Sequence, residues 1–244
     1  MTVTFLDHSG FLVELPGVCL LFDWWKGELP PLPAGKPLLV CASHRHPDHF
    51  DPKIFSLDDG RREVRFLLGR GIRLTDRNRE KWGLSEETAA KCQVLSGGET
   101  ASPLSGVTVE TLPSTDEGVA FLVTADDRTI FHAGDLNWWH WEGEPEEYNA
   151  GMRRSYQSEI NKLQGEKIDA AFVPVDPRLG EQYCWGIDCF MKRTDTNYVF
   201  PMHFWGSYDV YDRLMLEPCT RDYRERIMKI EREGQSFLLD SSEK

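Results

Sequence analysis

The chain is short of positive charge. Its 28 Lys and Arg stand against 40 Asp and Glu, a formal net charge of −12. That balance argues against a general nucleic-acid binder, whose affinity rests on neutralising phosphates. Long apolar runs are also missing, and none approaches membrane-spanning length. The opening MTVTFLDHSGFLVELPG lacks the basic, then apolar, then cleavable order of a signal peptide, so a cytoplasmic protein with no membrane partner is expected. The six cysteines (Cys19, Cys41, Cys92, Cys184, Cys189, Cys219) are scattered without a CxxC pair. This removes a cysteine-based zinc knuckle and a disulfide framework, and predicts reduced, mostly buried thiols. There is no GxSxG elbow, Walker A loop or Gly-rich dinucleotide fingerprint. Low-complexity segments and linkers are absent too, so residues 1–244 are expected to form a single domain.

What remains reads as strands leading, with helices interspersed. Val3 and Phe5, then Phe11, Val13 and Leu15, alternate with polar or small residues before a Pro-Gly turn into VCLLF at 18–22. GELPPLPAGKP (27–37) is a proline-rich surface loop. LLVCAS (38–43) is a continuous apolar run of the kind that forms a buried central strand. Further strands are expected at 64–68, 107–112, 119–124, 129–133, 169–175 and 197–202. A helix is predicted around 149–164, with Met152, Tyr156, Ile160 and Leu163 on one core-facing stripe. A last amphipathic helix is predicted at 220–232, with Tyr223, Ile227 and Ile230 inward. The pattern is α/β or α+β.

Histidine is scarce as well, seven residues in all, yet three fall within HRHPDHF at 44–50, directly after the buried run. Divalent transition ions need imidazole nitrogens and carboxylate oxygens converging at roughly 2 Å. In an extended segment His44 and His46 point to one side. Asp48 and His49 come after the bend at Pro47 and offer a second pair, so one loop has the donors for two adjacent ions. Asp135 in HAGD and His203 in PMHFW, both at expected strand ends, are further candidates.

His-x-His-x-Asp-His after a buried strand, a later Gly-Asp and a late lone His resemble the metallo-β-lactamase fold superfamily. FLDHSGFLVE (5–14) leading to FDWW (22–25) is similar to its branch of metal-dependent hydrolases that includes ascorbate-phosphate lactonase-like proteins. The resemblance covers residues 3 to about 205. It implies a four-layer αβ/βα sandwich with metals at one edge, between two sheets. It also implies that His44 and His46 hold a first ion, that Asp48, His49 and His203 hold a second, and that Asp135 bridges them. The third histidine usual at the first ion is missing, because Ser114 in LPSTDEGVAF (112–121) stands in its place. Asp116 or water then completes that position, or the chain holds a single ion. The cofactor expected is one or two divalent metals, zinc first, with manganese or iron favoured if a carboxylate replaces imidazole.

Around this set, Trp138, Trp139 and Trp141 come after Asp135, either as a packed loop or as an aromatic wall over the site, which Tyr183, Trp205 and Tyr208 would extend. Arg178 either holds an anionic substrate group or salt-bridges its own loop. His8 is an orienting partner or a structural histidine; His132 and His140 carry no assignment. The function expected is metal-assisted hydrolysis of a small-molecule ester, lactone or phosphoester. A divalent ion lowers the pKa of water from near 15.7 to about 7, and Asp48 would orient the resulting hydroxide. A non-catalytic metal-binding or sensing protein, favoured by Ser114, is the alternative. A phosphodiesterase or nuclease would need a basic patch, and Arg61 to Arg79 are interleaved with acids. The sequence leaves oligomeric state open.

Overall fold

Residues 1–239 are described by the structure, a computed structural model. The alternation at the start folds as β1 (Thr2–Asp7) and β2 (Gly10–Glu14), followed by β3 (Cys19–Phe22), β4 (Leu38–Ala42), β5 (Val64–Gly69) and β6 (Cys92–Leu95). A second group comprises β7 (Thr100–Leu104), β8 (Val107–Pro113), β9 (Val119–Ala125), β10 (Arg128–His132), β11 (Lys167–Pro174) and β12 (Asp195–Met202). The closing β13 (Ser236–Leu238) returns to pair antiparallel with β1. Two mixed sheets result, in the orders β13-β1-β2-β3-β4-β5-β6 and β12-β11-β10-β9-β8-β7. β4 is parallel to both β3 and β5, and every residue of LLVCA is buried, as a strand covered on both faces requires.

The period-2 alternation sorts side chains between two apolar layers. Phe5, Phe11 and Phe22 enter the core between the sheets, where Phe11 stacks on Phe172 at 4.2 Å between centroids. Leu6, Leu12 and Leu21 point the other way, into a second cluster with Ile54, Phe55 and Leu84. Short helices α1 (Asp76–Trp82) and α2 (Glu86–Ala89) lie beyond the first sheet. α3 (Glu146–Asn161) and α4 (Trp185–Met191) cover the second, with Phe190 stacked on Phe131 at 5.0 Å. The layers are helix, sheet, sheet, helix, as expected for the sandwich. Among the described residues no helix is long and apolar enough to cross a membrane.

α3 begins three residues before the expected start, with Glu146 and Glu147 in its first turn, where acidic groups suit the helix dipole. Of its expected core stripe, Tyr156, Ile160 and Leu163 are buried, and Met152 is partly buried, packed against the same core while lining a pocket beside the ligand loop. The helix expected at 220–232 is absent. That stretch holds the end of a 3-10 turn at Pro218–Thr220 and another at Arg224–Arg226, and Ile227 bridges in parallel to Val199. Tyr223, Ile227 and Ile230 are buried as expected. They reach the core along the β12 edge, where Met228 N donates to Val199 O at 2.8 Å, so a spacing of four and three served an extended path.

Candidate metal centre

The carboxyl end of β4 runs into Ser43 and the ligand loop, and glycines hold that junction tightly. A Cβ at Gly118 (φ +79°) would lie 2.0 Å from Ser43 O, and one at Gly134 (φ +53°) 2.7 Å from Ser43 Cβ. Val119 N donates to Ser43 O at 3.2 Å, tying the loop to the second sheet. The loop thereby faces the ends of β8, β10 and β12, which carry the loops of Asp116, Asp135 and His203.

Asp135 sits at the centre. Its Oδ2 lies 3.2 Å from His44 Nε2, while its Oδ1 lies 3.1 Å from His49 Nε2 and 3.4 Å from His203 Nε2. Asp48 Oδ2 closes the second group, 3.8 Å from His203 Nε2 and 4.0 Å from His49 Nε2. The first group continues through His46, whose Nδ1 is 3.0 Å from His44 Nε2, to Asp116, which converges on His46 and Asp135. Donor atoms placed tetrahedrally about 2.1 Å from one ion are about 3.4 Å apart, so these spacings suit a transition ion in each group. His49 Nε2 and Asp135 Oδ1 are buried and have no hydrogen-bond partner despite their proximity, as donors aimed at a common point would be. The residues present therefore fit the divalent metal that the sequence implies.

The outer nitrogen of each histidine is also held. His49 Nδ1 is 2.7 Å from Asp23 Oδ2, His203 Nδ1 is 3.0 Å from Asp176 Oδ2, and His44 Nδ1 is 2.9 Å from Ser43 Oγ. His46 turns Nε2 outward to Glu117 Oε2 at 3.1 Å. Such partners fix ring orientation and tautomer and raise ligand basicity. Four of the six non-glycine residues at positive φ lie here: His8, Asp23, His203 and Trp205. Backbone strain of this kind concentrates at functional sites.

Electrostatics obey the same geometry. Burial alone would raise the Asp135 carboxyl pKa, but His49 and His44 hold it well below the usual carboxylate range. Burial works against charging His49, yet Asp135 and Asp23 push it up to about 10. Asp176 is opposed by burial and lowered to about 2 by His203 and Arg178. The carboxylates thus stay ionised, and the positive charge that keeps Asp135 so is a protonated His49, whose proton a divalent cation would displace.

Of the residues singled out in the sequence, His44, His46, Asp48, His49, Asp116, Asp135 and His203 all come together. Ser114 does not enter: its Oγ accepts from Asp116 N at 3.1 Å, and its side chain lines a groove with Arg154 and Ser155. Thr115 pins this loop to the tryptophan loop by donating to Asn137 O at 2.7 Å, which carries Asp116 to the site. His8 Nε2 lies 3.3 Å from Asp48 Oδ2. His132 is structural: Nε2 donates to Ser9 O at 2.8 Å and Nδ1 accepts from Gly134 N at 3.2 Å, shaping the turn before Asp135. His140 packs against Trp185 and joins neither donor group.

The centre opens into a cavity of about 370 Å³ walled by Trp139, Trp141, Tyr148, Met152, Arg178 and Trp205. Trp139 donates Nε1 to Asp135 O at 2.9 Å and meets His203 edge-on at 5.5 Å. Trp138, expected beside it, turns away and packs on Trp185 over a separate depression. Neither Tyr183 nor Tyr208 reaches the wall; Trp205 does. Arg178 makes the salt bridge within its own loop, forking onto Asp176, and also lines the cavity, with Trp205 at 4.6 Å and Trp141 at 5.6 Å. Asp23, Glu117 and Asp176 had no assigned role in the sequence, although FDWW and VPVDPRLG contain two of them.

No curated protein matches the sequence significantly. Among solved structures, the chain is similar to Igni18, a metallo hydrolase from the archaeon Ignicoccus hospitalis, with a TM-score of 0.62 and 17% identity over 98% of this chain and 99% of that one. Isothiocyanate hydrolase from Delia radicum gut bacteria matches with a TM-score of 0.59 and 12% identity over 99% and 100%. CmlA, a diiron β-hydroxylase from Streptomyces venezuelae, matches with a TM-score of 0.63 and 13% identity over 98% of this chain and 54% of that one. At these identities the likeness is one of fold. Residues 2–140, more than half of the chain, match the family described as the beta-lactamase superfamily domain. The histidine-aspartate loop at the end of β4 lies inside that match, and the chain belongs to the metallo-β-lactamase superfamily of metal-dependent hydrolases.

Proposed function

We propose that the protein hydrolyses a small-molecule ester, lactone or phosphoester at a binuclear divalent metal centre. The observation that carries this reading is the division of Asp135, whose two oxygens belong to two different donor groups. His44, His46, Asp116 and Asp135 would hold one ion; Asp48, His49, His203 and Asp135 would hold the other. Divalent ions bound there would supply a hydroxide nucleophile at neutral pH and would polarise a carbonyl or phosphoryl oxygen.

The chain's own residues supply the rest. Asp48 keeps a partly exposed carboxylate between His8 and the cavity, ionised against the cost of burial by the His8 imidazole, and orients the attacking group. Trp139, Trp141 and Trp205 exclude water and offer an apolar face. Arg178, fixed by Asp176, presents one cation to a negatively charged substrate group. The cavity volume suits a small molecule, and ligands opening into such a cavity distinguish a catalytic centre from a structural staple. With Asp116 in place of imidazole each position would have two imidazoles and two carboxylates, a donor set suited to zinc, manganese or iron. The six cysteines, free in the structure, support a reducing, cytoplasmic setting.

The test is a panel of lactones, aryl esters and phosphodiesters assayed with protein loaded separately with zinc, manganese and iron(II). Hydrolysis of at least one class, abolished in Asp48→Asn and His46→Ala, is expected. Full activity in either variant at unchanged metal content would refute the assignment.

A further inference from the structure

The ligand loop has a second face. His44, His46, Asp48 and His49 converge on the metal centre, while Arg45, Pro47 and Phe50 wall a different cavity of about 960 Å³. The two cavities share no lining residue. The far side of the larger one is built by α1 and the turn after it. Its floor is apolar: Phe50 and Phe55 are buried, and Trp82 lies edge-on to Phe50 at 5.3 Å and stacked on Phe55 at 5.9 Å.

Four cations reach this cleft, Arg45, Lys53, Arg73 and Lys81, against one acid, Asp51. Three of these five side chains already have local partners. Asp51 accepts from Lys53 N at 2.8 Å, Lys53 donates to Trp25 O at 2.6 Å, and Arg45 donates to Glu117 at 2.7 Å. Arg73 and Lys81 are exposed, and among the described residues neither has a carboxylate within ion-pair distance. Of their neighbours, Arg61 pairs with Asp59, Arg65 with Glu63 and Arg79 with Glu86, while Arg70 and Arg77, which have no ion pair among the described residues, do not line the cleft. Two uncommitted cations at the edge of an aromatic floor, in a chain of net charge −12, form a complementary surface for a particular chemistry.

We propose that this cleft binds an amphipathic monoanion. Its carboxylate or sulfonate head is held by Arg73 and Lys81, and its aromatic or short acyl body lies on the Phe50, Phe55 and Trp82 floor. The occupant touches the loop that carries four metal ligands without entering the metal pocket.

Isothermal titration calorimetry of the metal-loaded full chain tests this, using 1-naphthalenesulfonate, octanoate and the uncharged 1-naphthalenemethanol. At least one anion is expected to bind with one equivalent and more tightly than the alcohol. Its Kd should rise roughly tenfold in Arg73→Ala/Lys81→Ala, the loss of two modest ion pairs, and stay unchanged in Arg178→Ala. Preference for the sulfonate identifies an aromatic body, and preference for octanoate an acyl chain. Both cleft substitutions are at exposed positions, and circular dichroism checks that the fold persists. Failure of both anions to bind at millimolar concentration would overturn the proposal. So would binding indifferent to the double variant, or binding abolished by Arg178→Ala, which would place the anion in the metal pocket.

Discussion

Replacing Asp23 by Asn changes one atom at the back of the metal centre, and the hydrogen-bond geometry fixes the consequence. Asp23 is fully buried; its Oδ1 accepts from Ser43 N at 2.7 Å, and its Oδ2 accepts from Ser43 Oγ at 2.7 Å and faces His49 Nδ1 at 2.7 Å. Asn retains the shape, and at φ +43° it is among the side chains that tolerate left-handed backbone. With the amide oxygen kept on Ser43 N, the amide NH₂ points at His49 Nδ1. A donor there requires Nδ1 to accept, which moves the ring proton to Nε2, the atom aimed at Asp135 and the second ion. Loss of such an orienting partner costs about 10- to 100-fold in metal affinity, about 1.4 to 2.8 kcal/mol. Chelator competition, reading each equivalent separately, should show the larger loss at the ion that His49 would hold, with a smaller one at the other because Ser43 Oγ, which faces His44 Nδ1, loses its carboxylate acceptor. Equal affinity for both ions in Asp23→Asn and wild type would refute the tautomer argument.

The same geometry sets other outcomes. Asp116→Ala should weaken one metal equivalent while Ser114→Ala leaves both intact, as chelator competition would show; the reverse would mean the serine loop turns into the site. Gly118→Ala should cost more than about 2 kcal/mol in denaturant unfolding, because its Cβ meets Ser43 O and the backbone is left-handed. Gly106→Ala, also at positive φ but in open space, should cost only about 1 kcal/mol, so equal losses would dismiss the packing argument. Asp58 is opposed by burial but held below the usual carboxylate range by Lys91 and Thr88. Its stabilisation is therefore present above the unfolded carboxyl value of about 3.9 and disappears as pH falls through the lower folded value. Urea titrations from pH 5 downward should show a shallower acid limb in Asp58→Asn.

Much of the site was legible because a metal centre imposes residue types and spacing on one loop. HRHPDH supplied four donors, and Asp135 and His203 stood out from their places at strand ends. Their outer partners were not legible. Asp23, Glu117 and Asp176 are single acidic residues among 40, and only the folded chain shows which imidazole each one faces. The strands were readable where both faces are buried, as in LLVCA. β6 is mostly exposed and its CQVL carries no such pattern, so the sequence does not reveal it. At 220–232 the apolar spacing was real, but hydrogen bonding to β12 decided the backbone. Trp138 and Trp139 show the limit most plainly: adjacent indoles face opposite ways, and only Trp139 meets a metal-centre histidine.

The claim that Asp135 joins two metal positions is tested most directly by titrating metal-free protein with manganese, iron(II) and zinc, alongside Asp135→Asn. The account predicts two equivalents per chain for at least one metal, with both weakened in the variant because the amide leaves one donor group without its oxygen and removes the shared negative charge from the other. One equivalent or none for every metal, or a variant that still binds two with unchanged affinity, would contradict it.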